Sequence, residues 1–250
     1  MGKRLEDLNW KTADECLKSG TIVVLPVAAG TKAHGPHLPL GTDKLVVDEL
    51  SNRLLEKTDI LLLPTLSYGY FPAFTDWPGS VSVEAETFKR FTGDILRSLA
   101  SQGAQRFLIL DGGVSSHFPL RILAADLRDE LKVLVGVSNI LGLGYEVEKD
   151  ICEQERGGHA DEAETSCVLA IRPDLVDMKL APNDFLEDIP GSRVGDVLKV
   201  AVSRKMDSPS GIHGDAALAD PEKGRRILDA MESDLLAFLE GFRSAEIPVK

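Results

Sequence analysis

Residues 21–43 read TIVVLPVAAGTKAHGPHLPLGTD, an apolar run that passes into a loop rich in glycine, proline and histidine. The run predicts a strand over residues 21–27, because a short, unbroken series of β-branched and leucine residues is typical of a strand buried on both faces. Apolar residues at helical spacing then predict a helix over residues 43–57. A strand, a loop and a helix in this order indicate the start of a parallel sheet with crossover helices.

The same alternation continues along the chain. Further strands are predicted at 60–64, 106–111 and 133–137, and further helices at 83–102, 119–131, 161–173 and 221–242. Pro119 is expected in the first turn of its helix, where the missing N–H costs nothing. The chain contains no internal repeat and no linker rich in glycine, proline or serine, so residues 1–250 are predicted to form one α/β domain with a mainly parallel sheet.

Composition narrows the classes of partner. The 250 residues include 28 Lys and Arg against 40 Asp and Glu, a net charge of −12, and this acidity argues against nucleic acid as a partner. The opening residues resemble no signal peptide, and no apolar run is long enough to cross a membrane, so a soluble, cytoplasmic protein is expected. The three cysteines have no disulfide or zinc-ribbon spacing, and buried, reduced thiols are expected.

Histidines collect in the loops where a parallel α/β sheet binds its ligands, outside the carboxyl ends of the strands. Four of the five, His34, His37, His117 and His159, lie in three polar segments of the sequence. Imidazole and carboxylate groups are the ligands that hold zinc, manganese or iron. On chemistry alone, the pattern therefore favours a metal-dependent hydrolase.

Two of these segments, HGPHLPLGTD at 34–43 and HADEAETS at 159–166, closely resemble motifs of the creatininase (creatinine amidohydrolase) family. The segment with Trp77 and the late Gly-Ile-His-Gly-Asp at 211–215 extend the resemblance. It implies a single-domain, three-layer α/β sandwich, assembled into homohexamers, with two divalent metals at the carboxyl edge of the sheet. It also implies that a metal-bound water attacks a cyclic amide or a related C–N bond.

Two departures from the family pattern concern one of the two metals. Lys32 stands where the family has a metal-binding glutamate, and Gly113 stands where it has a metal-binding histidine. The resemblance leaves His34, Asp43 and Glu164 for the other metal. One divalent ion, zinc or manganese, is therefore expected instead of two; the alternatives are two ions, with His117 as a replacement ligand, or none.

Other roles are assigned by resemblance and by residue type. His159 is expected to assist proton transfer or bind substrate, and Lys32 to supply positive charge in place of the lost metal; a surface lysine and a reactive amine are its alternatives. Alternatively, His34 and Asp43 form a hydrogen-bonded structural pair that fastens the loop to the following helix. The remaining candidates for contact with substrate are His37, Ser115, His117, Trp77 and Glu162. For His37, a structural role that holds the turn is weighted equally with contact to substrate. Glu162 is also the substitute for Glu164 as a metal ligand.

The sequence thus predicts a cytoplasmic, creatininase-like, metal-dependent hydrolase of a small cyclic amide or related metabolite. Its expected partners are a small-molecule substrate and copies of itself, without nucleic acid or membrane. One alternative is a non-catalytic or ligand-sensing oligomer that keeps the fold but has lost part of the metal site. Another is a lysine-dependent enzyme that acts on a keto-sugar or keto-cyclitol.

Overall fold

A computed structural model describes residues 1–186 and 208–248, and a five-stranded parallel sheet lies at its centre. The strands are β1 (Lys3–Arg4), β2 (Ile22–Val27), β3 (Ile60–Leu62), β4 (Arg106–Asp111) and β5 (Leu134–Asn139). Their order in the sheet is β1-β3-β2-β4-β5, with β2 paired to both β3 and β4. This arrangement confirms the predicted parallel sheet. A short antiparallel pair, β6 (Asn183–Asp184) and β7 (Gly214–Asp215), lies outside this sheet.

Helices cover both faces of the sheet and complete the three layers. The helices are α1 (Trp10–Lys18), α2 (Thr42–Lys57), α3 (Ala85–Ser101), α4 (Val114–Leu131), α5 (Tyr145–Ile151), α6 (Glu162–Ile171) and α7 (Pro221–Ser244). Alternate residues of β2 face opposite cores: Ile22 and Val24 pack with α2, α6 and α7, whereas Val23 and Leu25 pack with α3 and α4. Burial on both faces explains why β2 is an unbroken apolar run.

The start of α4 differs from the prediction. The helix begins at Val114, so Pro119 lies in its second turn and not in its first. Proline lacks the N–H that would bond the carbonyl of Ser115, and the helix continues through this single loss with Pro119 buried. Ser115 and His117 consequently lie on a helix and not in a loop.

Further differences concern two helices and the thiols. Helices α1 and α5, of nine and seven residues, were not predicted, because segments this short show little helical periodicity. All three cysteines are free, but only Cys167 is buried, while Cys16 and Cys152 are half-buried. Within residues 1–186 and 208–248, no helix combines the length and apolar character needed to cross a membrane.

Close packing of α6 on α7 sets the position of the HADEAETS segment. Gly224 of α7 lies directly against the backbone of α6, where a Cβ atom would come within 1.9 Å of the Ser166 carbonyl oxygen. Only glycine permits this approach. The contact fixes the N-terminal half of α6, including Glu164, at the carboxyl edge of the sheet.

Candidate active site

An open cavity, with about 680 Å³ of empty space when adjoining solvent is included, lies outside the carboxyl ends of β2, β4 and β5. Its polar wall comes from the loop after β2 and from the start of α6, and its apolar wall comes from the residues after β5 and from α7. The parallel topology therefore brings together segments that are more than 100 residues apart in the sequence. The lining residues include Lys32, Asp43, Gly112, Ile140, Glu148, His159, Asp161, Glu164, Ile227 and Met231.

A buried ion pair joins Lys32 and Asp43. The Lys32 Nζ lies 3.0 Å from Asp43 Oδ1 and 2.8 Å from Oδ2, and the side chains are 7% and 1% exposed. The ammonium also lies 5.1 Å from the ring centre of Phe74 and 5.6 Å from that of Phe71. Burial alone would raise the pKa of Asp43, but the charges of Lys32 and then His34 outweigh it and hold that pKa far below its usual value.

The imidazole of His34 approaches the same Asp43 carboxylate. Its Nδ1 donates to the Lys32 carbonyl oxygen at 2.8 Å, which leaves the lone pair of Nε2 facing Asp43 Oδ1 at 2.8 Å and Glu164 Oε1 at 3.6 Å. A lone pair and a carboxylate oxygen repel each other at this distance unless a cation or a proton lies between them. The geometry therefore requires either a metal ion or a protonated His34.

His159 is oriented in the same way by the next carbonyl along the chain. Its Nε2 donates to the Ala33 carbonyl oxygen at 3.0 Å, and its Nδ1 lies 3.9 Å from Glu164 Oε2. Burial, followed by the charge of Lys32, lowers the pKa of His159 well below its usual value. The ring is therefore neutral near pH 7, with its Nδ1 lone pair free to accept a proton or a hydrogen bond.

Glu164 is held by an unusual backbone conformation. Ala160 has a φ of 50°, in the left-handed region that non-glycine residues rarely adopt, and its N–H donates to Glu164 Oε2 at 2.6 Å. Burial raises the pKa of Glu164, whose side chain remains a quarter exposed toward the cavity. The carboxylate is thereby fixed in place while one of its oxygens still faces His34.

These residues fit one divalent cation. Ligand atoms of His34, His159 and Glu164 all lie within 4.8 Å of one another, and the buried carboxylate of Asp43, which pairs with Lys32, lies 2.8 Å from His34 Nε2. Ligands of a tetrahedral zinc ion are separated by about 3.3 to 3.5 Å, close to the 3.6 Å between His34 and Glu164. Backbone carbonyls that fix the far nitrogen of each imidazole are also typical of metal-binding histidines.

Two residues predicted near the substrate lie outside this cavity. Glu162 is fully buried, and its carboxylate accepts hydrogen bonds from the backbone N–H groups of Glu153 and Gln154 and from Lys223 Nζ. It therefore joins the start of α6 to α7. His37 is also buried; its Nε2 lies 2.9 Å from Thr165 Oγ1, and burial, followed by the charge of His34, lowers its pKa to about 4.

The other predicted contacts lie around the start of α4 and the segment 71–80. His117 Nδ1 is 3.4 Å from Asp111 Oδ2, so this histidine is engaged with a buried carboxyl group, whose pKa is raised by burial. Trp77 packs beside Gly211. Ser115 is half-buried in the first turn of α4, and none of the three lines the cavity among the described residues.

Glu148 lines the cavity and was not identified from the sequence. It lies on α5, a helix that was not predicted, and no motif marks it. Burial, followed by the negative charges of Asp161 and Glu164, raises the pKa of Glu148 to about 7. Among residues 1–186 and 208–248, its carboxylate has neither a hydrogen-bond nor an ion-pair partner. Only the tertiary structure shows that it belongs to the cavity.

Replacing Glu148 by Gln is expected to stabilise the protein in a pH-dependent way. The pKa of about 7 exceeds the value of 4.5 for a free glutamate, so the folded state loses stability as pH rises between these values. One pKa unit corresponds to about 1.4 kcal/mol, and solvent screening of this half-buried group reduces the total effect to about 1 kcal/mol. Urea unfolding in chelator should show this gain for Glu148→Gln at about pH 8 and none at about pH 4.

Glu146→Gln is the matched control, because Glu146 is exposed on the same helix. Its unfolding free energy should follow that of the wild type at both pH values. A gain for Glu148→Gln that is the same at low and high pH would contradict the burial of an ionised Glu148.

Comparison with known proteins gives consistent results over nearly the whole chain. The family model "Creatininase: Creatinine amidohydrolase" matches residues 6–239. A 3-dehydro-scyllo-inosose hydrolase of Thermotoga maritima is 24% identical, covering 99% of this chain and 87% of the relative. A creatinine amidohydrolase of Pseudomonas putida is 27% identical (89% and 90% covered), and a mycofactocin precursor peptide peptidase of Mycobacterium ulcerans is 28% identical (93% and 90% covered).

Solved structures show the same fold. The crystal structure of a creatinine amidohydrolase (creatininase) superposes with a TM-score of 0.83 at 24% identity, covering 97% of this chain and 98% of the other. A structure described as "Creatininase Mn" superposes with a TM-score of 0.79 at 23% identity, covering 98% and 100%. These similarities confirm the predicted fold class.

Proposed function

Because this chain belongs to the creatininase family, we propose that it is a metal-dependent hydrolase that opens a small cyclic amide or a related cyclic carbonyl compound. The observation that carries the proposal is the approach of His34 Nε2 to two carboxylates, at 2.8 Å from Asp43 Oδ1 and 3.6 Å from Glu164 Oε1. An imidazole nitrogen and two carboxylates around one point form a site for a cation. We assign His34, Asp43 and Glu164 as the residues that hold a zinc or manganese ion.

The ion would supply Lewis acidity, which polarises a carbonyl group and makes water more acidic. The chain supplies the remaining functions. His159 presents a neutral Nδ1 beside Glu164, where it accepts a proton from water and returns it to the leaving group. The Ala33 carbonyl holds the ring in the tautomer that this role requires.

Lys32 takes the place of a second cation. Its ammonium lies against both oxygens of the Asp43 carboxylate, and His34 Nε2 lies 2.8 Å from Oδ1, so Asp43 would be shared between Lys32 and the proposed ion. A single divalent ion is therefore expected. The ion pair also disfavours Lys32 as a nucleophile, because an ammonium that is bound by a carboxylate has no lone pair for attack on a ketone.

The relatives support hydrolysis while differing in substrate. Their names include an amidohydrolase, a hydrolase of an oxidised inosose and a peptide peptidase. We therefore propose a small substrate whose carbonyl group is attacked by water, with a cyclic amide as the first class to test. The cytoplasmic location and the homohexamer stay predictions.

The test is metal content together with metal-dependent turnover. The untagged protein, purified without chelator, should contain about one equivalent of zinc or manganese by plasma mass spectrometry. It should hydrolyse at least one member of a panel of cyclic amides, creatinine included, and keto-cyclitols. A chelator should abolish turnover, and the metal should restore it. Metal-free protein from metal-replete cells, or turnover that is insensitive to chelation, would contradict the proposal.

A further inference from the structure

The lining of the cavity contains one carboxylate whose role the proposed chemistry does not explain. Asp43 is paired with Lys32, and Glu164 is bonded to the Ala160 N–H and faces His34. Asp161 accepts hydrogen bonds from the N–H groups of Glu164 and Gly158 and from the Gln154 side chain. Within the part of the chain that the structure describes, only Glu148 has a cavity-lining carboxylate without a partner.

Helix α5 holds Glu148 in a defined position. The helix follows Gly144, whose φ is 67° and whose N–H donates to Asp234 of α7 at 2.8 Å. Helix α5 packs along α7, which also contributes Ile227 and Met231 to the cavity wall. Glu148 is therefore presented by a packed helix and not by a loop, as a group that recognises a ligand requires.

The charges in the cavity determine which ligand fits beside Glu148. Among the described lining residues, Lys32 is the one cation, and Asp43 already neutralises it. The lining that the structure describes contains four carboxylates, those of Asp43, Glu148, Asp161 and Glu164, against Lys32 and the proposed divalent ion, so the cavity stays negative with the ion bound. A phosphate or carboxylate of the substrate beside Glu148 is therefore disfavoured. A neutral or cationic group with N–H or O–H donors would supply the hydrogen bonds that Glu148 lacks.

We propose that Glu148 is a substrate-recognition residue, whose carboxylate accepts hydrogen bonds from N–H or O–H groups of a neutral or cationic ring compound. Ile140, Leu141, Ile227 and Met231, which line the same cavity, provide the apolar surface against which such a ring would pack. The inference rests on the proposed function, since it takes the cavity as the substrate site. It adds the donor groups of the substrate and the residue that selects them.

Calorimetric titration of the zinc-loaded full chain tests this inference with three probes. Methylguanidinium is a cationic N–H donor, scyllo-inositol is a neutral O–H donor, and inorganic phosphate is an anion. At least one donor probe should bind the wild type, and its affinity should fall about tenfold in Glu148→Gln. Phosphate should bind Glu148→Gln at least as tightly as the wild type. Glu146→Gln, on the exposed side of the same helix, should retain wild-type affinities.

The two donor probes distinguish the classes of substrate. Loss of methylguanidinium binding in Glu148→Gln assigns an amidine-like substrate, and loss of scyllo-inositol binding assigns a polyol; either result supports the inference. Equal affinities of the wild type and Glu148→Gln, or no donor probe bound by the wild type, would overturn it. Probe binding is measured without turnover. A protein that hydrolyses nothing, but whose probe affinity depends on Glu148, would contradict the proposed hydrolase and leave the recognition role of Glu148 intact. An active, metal-loaded enzyme with unchanged affinities and KM in Glu148→Gln rejects the recognition role alone.

Discussion

Lys32→Met is expected to lose about 3 to 5 kcal/mol of unfolding free energy in the presence of a chelator. Methionine keeps the length of the side chain but removes the ammonium that lies against both oxygens of Asp43. The Asp43 side chain, only 1% exposed, would then keep only the His34 imidazole, 2.8 Å from Oδ1, and no lysine or arginine among the described residues to balance its charge. An uncompensated charge at such a position is costly because the protein interior solvates it poorly. Equilibrium unfolding in urea measures the loss.

Lys44→Met is the matched control, since Lys44 forms an ion pair with Asp48 at the partly exposed surface of α2. We expect it to change stability by less than about 1 kcal/mol, because water screens exposed pairs. The double variant Lys32→Met/Asp43→Asn should recover at least half of the loss, since it leaves no buried charge unpaired. A loss for Lys32→Met as small as that for Lys44→Met would show that Asp43 does not depend on Lys32.

His34→Ala and Glu164→Gln are each expected to weaken zinc binding by more than about 100-fold. Removal of an outer group that only orients a metal ligand costs about 10- to 100-fold, so loss of a direct ligand should exceed that range. Asp43→Asn should have a similar effect if Asp43 binds the ion beside Lys32. Competition titration with a chromophoric chelator measures each affinity, and circular dichroism of the same samples checks the fold.

His159→Ala separates the ligands from the residue that moves protons. It should retain zinc within about tenfold of the wild type and lower kcat by about 10² to 10⁴, the usual contribution of a positioned acid or base. His117→Gln is the control, because His117 contacts Asp111 and does not line the cavity among the described residues. Loss of zinc in His159→Ala with retention in Asp43→Asn would replace our ligand set by His34, His159 and Glu164, the three whose ligand atoms lie within 4.8 Å.

The fold was largely predictable because strands and helices depend on local patterns of apolar residues in the sequence. The unbroken apolar run at 22–27 and the helical spacing that follows it specify a buried strand and a crossover helix, and the structure contains both. The start of α4 was predicted five residues too late, because Pro119 was read as a helix start when the helix accommodates it internally. Helix α5 was missed because seven residues carry too little periodicity to be distinguished from a loop.

The amino-acid sequence by itself determined the family, the parallel α/β architecture and the residue types that gather after the strands, since these depend on motifs and on short-range periodicity. Only the tertiary structure decided which of those residues act together. It placed Lys32 against Asp43 and His159 beside Glu164, directed Glu162 into the helix packing, and brought Glu148 to the cavity. The physical reason is that burial, charge pairing and pKa depend on distances between segments far apart in the chain, and these distances arise only when the parallel strands align their carboxyl ends.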